Sequence, residues 1–337
     1  MRHWRGASSS TLDRSPRGHQ RSERAPRTDR EAERHHWRRL ERRFVAALTF
    51  SALALIGASS WLARRDSSEE QGSGLIAALR DANSDVRALA AYRASRQPAP
   101  DSTIIRELAR LLADSAEDAR REAVNALIAL GSAGNAVRPT VIKALIAVFY
   151  GGQQDDTQVS AAHVLGAIGP TAKSAIPALV RALESANADL RGAAASALGD
   201  IDTPDATVLR NITATTRDAA AGVRATAVEA LAKLRPDSTT ALVAARMARS
   251  DSVMYVRLAA VYALDATNRY SSAMTALVTA LDDSAPEVRR AAAIAIARVG
   301  PPAQTASVSL ARLRADPNAG VRQAATDALN AIAPQRP

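Results

Sequence analysis

Residues 283–300 read Asp283-Ser-Ala-Pro-Glu-Val-Arg289-Arg-Ala-Ala292-Ala-Ile-Ala-Ile296-Ala-Arg-Val299-Gly300. The stretch opens with a turn and continues as a helix that carries small and branched apolar residues on one face. The same pattern recurs about every 33 residues from Gly74 onward. Such a fixed period is typical of a solenoid of stacked helical repeats. We align the repeats on the arginine of the Val-Arg step. In the eight repeats this position holds Arg87, Arg120, Gln158, Arg191, Arg224, Arg257, Arg289 and Arg322.

Three further positions of the repeat form one helical stripe. Counted from the aligned residue, position +3 is alanine in all eight repeats, +7 is leucine or isoleucine in seven, and +10 is aliphatic in six. Offsets of 3, 7 and 10 residues share one face of a helix, so we expect these side chains to be buried. The second helix of each repeat is predicted at Ser84–Ser95, Glu117–Leu130, Asp156–Ile168, Asn187–Gly199, Ala221–Leu234, Val253–Asp265, Pro286–Val299 and Ala319–Ile332.

An aspartate lies six residues before the aligned position in six of the eight repeats: Asp81, Asp114, Asp218, Asp251, Asp283 and Asp316. An aspartate there can cap the turn and bind an arginine of the same or an adjacent repeat. The sequence therefore predicts a ladder of charge-assisted hydrogen bonds along one edge of the solenoid. Because the pairs repeat evenly, we interpret them as structural; a charged binding edge is the functional alternative.

These residues resemble the HEAT-repeat family, specifically the short bacterial HEAT-like repeats also found in phycobilin lyases. The resemblance rests on pairs such as Asp218…Val223-Arg224 and Asp316…Val321-Arg322, with the alanine and leucine columns that follow, and covers residues 74 to about 333. It implies an all-α, right-handed α-solenoid of about eight helix pairs, used mainly to bind other proteins. HEAT arrays also serve as lyases and nucleic-acid readers, so the resemblance does not fix one function.

Residues 1–43 carry 13 arginines and six acidic residues and are nearly empty of aliphatic side chains. They cannot bury enough apolar surface to offset the entropy of ordering, which predicts a disordered basic tail. We interpret these residues as a solvated tail that sets membrane topology, and binding to nucleic acid or anionic lipid is the alternative.

Phe44–Ala63 is a run of 20 residues without a charge, with two arginines at each end. A helix of this length reaches about 30 Å, the thickness of the hydrocarbon core, so we predict a transmembrane helix. The excess of arginines before it places the N-terminus in the cytoplasm and the repeats across the inner membrane. A cleaved signal peptide is the alternative. Residues 64–73 are predicted to be a linker and 74–337 the solenoid.

Repeat 3 departs from the pattern, because it is five residues longer and has Gln158 in place of arginine. Insertions in solenoids fall in loops, often on a binding face, although many are simply tolerated. Phe149, Tyr150 and His163 belong to this repeat and are candidates for a local partner site.

Position +5 varies between repeats, which predicts a face that stacking does not need and a partner can use. Its residues are Tyr92, Asn125, His163, Ser196, Glu229, Tyr262, Ile294 and Asp327. Their mixed charges do not form a basic stripe that would follow a phosphate backbone, which argues against nucleic acid as the partner of the repeats.

No enzyme motif stands out in the chain. Cysteine is absent, His163 is the one histidine after residue 36, and the motifs of zinc peptidases, serine hydrolases and phosphate-binding loops are missing. We therefore predict no catalytic residue, cofactor or metal. The favoured function is a membrane-anchored scaffold for an unknown protein partner, and a solenoid enzyme of the bilin-lyase type is the alternative.

Overall fold

The computed structural model describes residues 68–132, 136–151, 154–268 and 271–333. The predicted tail at 1–43 and the predicted transmembrane helix Phe44–Ala63 lie outside these ranges. No helix in the described part of the chain has both the length and the apolar character needed to cross a bilayer.

The described residues form sixteen α-helices and two short 3₁₀-helices, and they include no strand. Odd-numbered helices are the first (helix A) and even-numbered helices the second (helix B) of the eight repeats. They are α1 Ser68–Leu79, α2 Ser84–Ala94, α3 Ser102–Leu111, α4 Glu117–Ser132, α5 Arg138–Tyr150, α6 Asp155–Ile168, α7 Ile176–Ala182, α8 Ala188–Ile201, α9 Ala206–Thr215, α10 Ala221–Leu234, α11 Ser238–Ser250, α12 Met254–Ala266, α13 Ser271–Ala280, α14 Pro286–Val299, α15 Ser307–Leu313 and α16 Ala319–Ile332.

The ends of the helices follow from local sequence. Asparagine or aspartate caps several first turns: Asn187 accepts hydrogen bonds from the backbone N–H groups of Asp189 and Leu190 at the start of α8. Gly169 and Gly300 end α6 and α14 with φ near +71° and +72°, a conformation that suits glycine. A proline follows each of them, and the chain continues as the 3₁₀-helices Gly169–Ala175 and Pro301–Ala306.

Helix α1 begins at Ser68, so the predicted linker at 64–73 is shorter than the sequence suggested, and the array starts before Gly74. The segment Ser-Glu-Glu-Gln is polar, and polar composition is typical of a linker. Glutamate and glutamine are nevertheless good helix formers, so polar composition alone did not exclude a helix here.

The predicted stripe on the B helices is confirmed as the buried face. All eight alanines of position +3 are at most 2% exposed: Ala90, Ala123, Ala161, Ala194, Ala227, Ala260, Ala292 and Ala325. Six of the seven large aliphatic residues of position +7 are also buried, and Leu329 in the last repeat is half-buried.

Neighbouring B helices pack side by side with small residues between them. A Cβ atom added to Gly199 of α8 would lie 3.0 Å from the Cα of Ala230 in α10, and one added to Gly166 of α6 would lie 3.1 Å from the Cα of Ala197. The backbones of α6, α8 and α10 therefore approach so closely that a side chain at either position would require the neighbouring helix to shift.

The hydrophobic core consists of two clusters that meet at α10. Ala227 and Leu231 of this helix belong to the cluster formed by repeats 1–5, whereas Val228 belongs to the cluster formed by repeats 6–8. Helix α10 thus contributes buried side chains to both clusters.

Candidate interaction surface

Arginine–aspartate pairs join successive repeats along one edge of the array. In each pair the arginine donates two hydrogen bonds of 2.7–2.9 Å, from Nε and Nη2, to the two carboxylate oxygens of the aspartate in the next repeat. The five pairs are Arg87–Asp114, Arg191–Asp218, Arg224–Asp251, Arg257–Asp283 and Arg289–Asp316. Two parallel charge-assisted bonds fix both the distance and the orientation of the repeats that they join.

The third nitrogen of each arginine binds its own repeat. Nη1 of Arg191 donates to the backbone oxygens of Ser185 and Ala186 in the preceding turn. The aspartate also has a second role, since Oδ1 of Asp218 accepts a hydrogen bond of 2.8 Å from the backbone N–H of Ala220. Each pair therefore closes two turns and joins two repeats.

The paired side chains are largely shielded from water, with 12–16% of each arginine and 4–12% of each aspartate exposed. The hydrogen bonds from arginine lower the pKa values of Asp114, Asp218, Asp251 and Asp316. Burial opposes ionisation of Asp283, but the bonds from Arg257 and the backbone outweigh it and lower its pKa as well. The carboxylates therefore remain ionised in the folded protein.

Repeat 3 interrupts the ladder on both of its sides. Arg120 keeps its bonds to the backbone oxygens of Asp114 and Ser115, but it pairs with no carboxylate among the described residues. On the other side Gln158 replaces the arginine, and Ser185 stands where other repeats have aspartate. The hydroxyl of Ser185 still accepts the turn's hydrogen bond from the backbone N–H of Asn187, so the turn is kept while the charge pair is lost.

Sequence reasoning missed one buried carboxylate. Glu107 of α3 is 7% exposed and accepts hydrogen bonds from Arg80 of the preceding repeat and from Arg110 one turn further along α3. The bond from Arg80 is the largest cause that lowers the pKa of Glu107. Arg110 also binds the backbone oxygen of Leu79, so this cluster ties the first two repeats together.

Position +5 lies on the solvent side of the B helices. Tyr92, Asn125, His163, Glu229, Tyr262 and Asp327 are exposed there, and Ser196 and Ile294 are half-buried. The ladder residues and the alanine stripe occupy other positions of the same helices. The six exposed residues therefore make none of the ladder contacts and belong to neither hydrophobic cluster, whereas Ile294 packs against the core.

The candidate residues of repeat 3 are divided between two helices. Phe149, near the end of α5, is half-buried and packs against the core. The guanidinium of Arg181 in the next repeat lies 5.7 Å from the ring centre of Tyr150. His163 is exposed on α6, and within the described ranges no hydrogen bond or ring contact joins it to Tyr150. Residues 152 and 153 of the long turn lie outside the described residues.

Tyr92 in repeat 1 also has a partner within its own repeat. The guanidinium of Arg96 lies 5.2 Å from its ring centre and donates a hydrogen bond of 2.9 Å to its hydroxyl. Arginine over an aromatic face is a favourable contact, so Tyr92 and Tyr150 are both partly occupied by residues of the fold.

The B-helix surface contains two features that the residues of position +5 alone do not show. Tyr255, at position −2 of repeat 6, is 47% exposed and lies on the same face of α12 as Tyr262. A groove of about 430 Å³ runs between α14 and α16 and is lined by Arg290, Ile294, Arg298 and Asp327, among others. Comparing positions −2, +1 and +5 together, instead of +5 alone, would have found both features.

Comparisons with known proteins agree with this architecture. Residues 142–221 and 244–330 match the family model for HEAT repeats. No curated protein matches the sequence. Among solved structures, Kap95p in its complex with RanGDP is similar, with a TM-score of 0.54 and 16% identity over 87% of this chain. At that identity the likeness concerns the fold.

Two other solved structures are similar at lower scores. Kap121p bound to Ste12p has a TM-score of 0.47 and 14% identity over 79% of this chain. The complex of CpcE and CpcF, phycocyanin lyase of Nostoc sp. PCC7120, has a TM-score of 0.38 and 17% identity, and covers 80% of this chain and 97% of the matched one. The chain spans 42% of the matched Kap95p chain and 33% of the matched Kap121p chain. The family match, the repeat columns and the helix order together show that this chain carries a HEAT-repeat solenoid.

Proposed function

We propose that this protein is a non-catalytic scaffold that binds another protein on the position +5 face of its B helices. The observation that carries the proposal is the contrast between positions within one helix. Position +3 is a buried alanine in all eight repeats and position 0 pairs with an aspartate of the next repeat in five, whereas position +5 varies and is exposed in six of eight repeats. A face that varies while the fold is kept is free to be shaped by a partner.

The architecture supports a protein partner over a small substrate. Stacked repeats supply an extended surface, which suits the 800 Å² or so per partner that stable protein complexes bury. Within the described residues no group of histidines and acidic residues is placed to hold a metal ion. Kap95p, which shares the fold, binds RanGDP. This last argument is an analogy of fold alone.

Site-specific photocrosslinking tests this proposal in cells. A benzoylphenylalanine residue replaces Asn125, His163 or Glu229 on the B helices, and Lys143 or Arg210, exposed on the A helices, in matched controls. We expect protein adducts from the B-helix positions and few from the controls. Adducts of equal yield from both sets, or from the A helices only, would contradict a B-helix binding face.

We also propose that Phe44–Ala63 anchors the scaffold in a membrane with the repeats on the extracytoplasmic side. The support is the charge-free length of this segment and the arginines before it. The test is protease treatment of intact spheroplasts that express the chain with a C-terminal tag. Loss of the tagged fragment is expected, and its protection would place the repeats in the cytoplasm.

A further inference from the structure

Helix α12 of repeat 6 exposes an aromatic stripe that no other repeat has. Tyr255, Leu258 and Tyr262 are spaced by three and four residues, so they lie on one face of the helix. The two tyrosines are 47% and 56% exposed, and Leu258 is half-buried between them against the core. We call these three residues the α12 stripe.

The other repeats show that stacking does not require large side chains at these positions. Repeat 5 has Gly222, Ala225 and Glu229 in the same register, and repeat 4 has Asp189, Gly192 and Ser196. Their B helices nevertheless pack against neighbouring B helices. The fold therefore does not require the two exposed tyrosines, and exposed tyrosine is a residue type that protein interfaces favour.

The contacts of the four tyrosines in the described chain divide them into two groups. Arginines of the fold cover Tyr92 and Tyr150. Within the described residues Tyr255 and Tyr262 make no hydrogen bond, and no arginine lies over either ring. The α12 stripe is thus an aromatic surface whose rings are left open.

A positive charge lies one helix away from the α12 stripe, in the groove between α14 and α16. Arg290 of α14 shares the register of Leu258 and lies exposed along the groove between α14 and α16. Its side chain runs beside Gly320, and it forms neither a hydrogen bond nor an ion pair with any described residue. Arg298, in the same groove, is by contrast paired with Asp265. Arg290 is therefore available to an acidic group of a partner.

We propose that the α12 stripe and Arg290 form a docking site for a protein segment with one large apolar side chain and one carboxylate. The apolar side chain packs on Leu258 between the two tyrosines, and the carboxylate binds Arg290. Adjacent helices lie about 8–10 Å apart, and the Arg290 side chain runs toward α16, so the two contacts are between one and two helix spacings apart. An extended chain covers about 3.3 Å per residue, which places the two groups about three to six residues apart. The inference rests on the proposed scaffold function and names the partner chemistry of one part of it.

The charges around the α12 stripe disfavour a polyanion. Glu287 lies in the register of Tyr255 and Glu229 in the register of Tyr262, each on a neighbouring helix. Both are exposed, and both would repel the regularly spaced phosphates of a nucleic acid that stacked its bases on the tyrosines. A single carboxylate directed toward α14 meets Arg290 instead.

Phage-displayed random 12-residue peptides, selected on the purified full-length protein, test the proposal. We expect enriched peptides to pair an aliphatic or aromatic residue with an aspartate or glutamate about three to six positions away. Their affinity should fall at least about tenfold for Tyr262→Ala and for Arg290→Glu, as for other interface anchors. Arg210→Glu, which changes an exposed arginine of an A helix outside the position +5 face, should leave affinity unchanged. A peptide with lysine in place of its acidic residue should recover binding to Arg290→Glu.

Three results would overturn the proposal. One is enrichment of peptides whose affinity is unchanged by Tyr262→Ala and by Arg290→Glu. Another is a failure to enrich any peptide. The third is binding of a 15-residue oligo(dT) that Tyr262→Ala abolishes, which would assign the α12 stripe to nucleobase stacking. Thermal melting curves of both variants, expected to match the unmodified protein, exclude misfolding as the cause of lost binding. Crosslinks from Asn125 and His163 that persist in any of these cases would leave the scaffold function standing.

Discussion

Arg191 and Asp218 belong to neighbouring repeats, and two parallel hydrogen bonds of 2.7 and 2.8 Å join the guanidinium of one to the carboxylate of the other. The same arginine holds two backbone oxygens of its own turn. The geometry that closes one turn thus also determines where the next repeat lies. Because the arrangement recurs along the array, its energetic role can be tested at one pair and compared with a pair of another kind.

Asp218→Asn should lower the free energy of unfolding by about 2 kcal/mol, because it leaves a shielded guanidinium without its counter-charge. Urea denaturation followed by circular dichroism measures the change. Asp200→Asn is the matched control: its pair with Lys233 also joins two repeats, but both side chains are more than a third exposed, at 38% and 54%. That control should cost less than about 1 kcal/mol. Equal losses from both variants would show that the ladder contributes no more than a surface pair.

The gap in the ladder between repeats 3 and 4 can be closed by two substitutions. Gln158→Arg together with Ser185→Asp places an arginine and an aspartate 27 residues apart, the separation of the Arg191–Asp218 pair. We expect the gain in free energy of unfolding of the double variant to exceed the sum of the changes in the two single variants by about 1 kcal/mol or more, a coupling typical of residues in contact. A double-mutant cycle measures this coupling, and strict additivity would mean that repeats 3 and 4 are not aligned as the others are.

Acid should weaken the array through the ladder. Because pairing lowers the aspartate pKa values in the folded state below the unfolded value of about 3.9, the stabilisation is complete above that pH. It is lost progressively as the pH falls through the unfolded value toward the folded ones. Urea midpoints measured between pH 7 and pH 3 should therefore drop steeply below about pH 4. Asp218→Asn should make that drop shallower.

The buried face of the B helices can be tested within one helix. Ala227 is fully buried in α10, and Glu229 two residues later is exposed. Ala227→Leu should lower the melting temperature clearly, since overpacking a core usually costs about 1–3 kcal/mol. Glu229→Leu should change it little. Equal effects would mean that α10 is rotated about its axis relative to this description.

Two glycines on B helices should respond oppositely to alanine. A Cβ atom at Gly199 would lie 3.0 Å from the Cα of Ala230, whereas one at Gly222 would have no neighbour within 4 Å. Gly199→Ala should destabilise the protein by forcing α8 and α10 apart. Gly222→Ala should stabilise it by up to about 1 kcal/mol, because alanine is the better helix former. Calorimetric melting of both variants checks the sign of each change.

Much of the fold could be predicted from the repeat. The helices Ala221–Leu234, Pro286–Val299 and Ala319–Ile332 agree with the sequence prediction residue for residue. The agreement arises because hydrophobic spacing and the flanking turn residues mark the same boundaries. Residues 68–73 were less predictable, since a polar helix start and a polar linker have similar composition.

The contacts between repeats could not be predicted from the sequence in the same way. The sequence showed that Arg191 and an aspartate recur together, but whether the partner lies in the same or the next repeat depends on how closely helices stack. Tyr255 was missed for a related reason. It lies seven residues before Tyr262, at position −2, so a comparison of position +5 alone does not show that the two tyrosines share a face. Such a surface becomes visible once several positions of one helix are compared across all repeats.

The two-part core has a consequence for how the array opens. Repeat proteins gain stability from nearest neighbours, so cooperativity weakens wherever one interface contributes less than the rest. Here the buried residues of the two hydrophobic clusters meet at α10, and Val243 of α11 packs against both clusters. We predict that the array opens first at this boundary, so that backbone amides of repeats 1–4 and of repeats 7–8 exchange with solvent at different rates. A partner bound at the tyrosines of α12 should then slow amide exchange in repeats 6–8 more than in repeats 1–4.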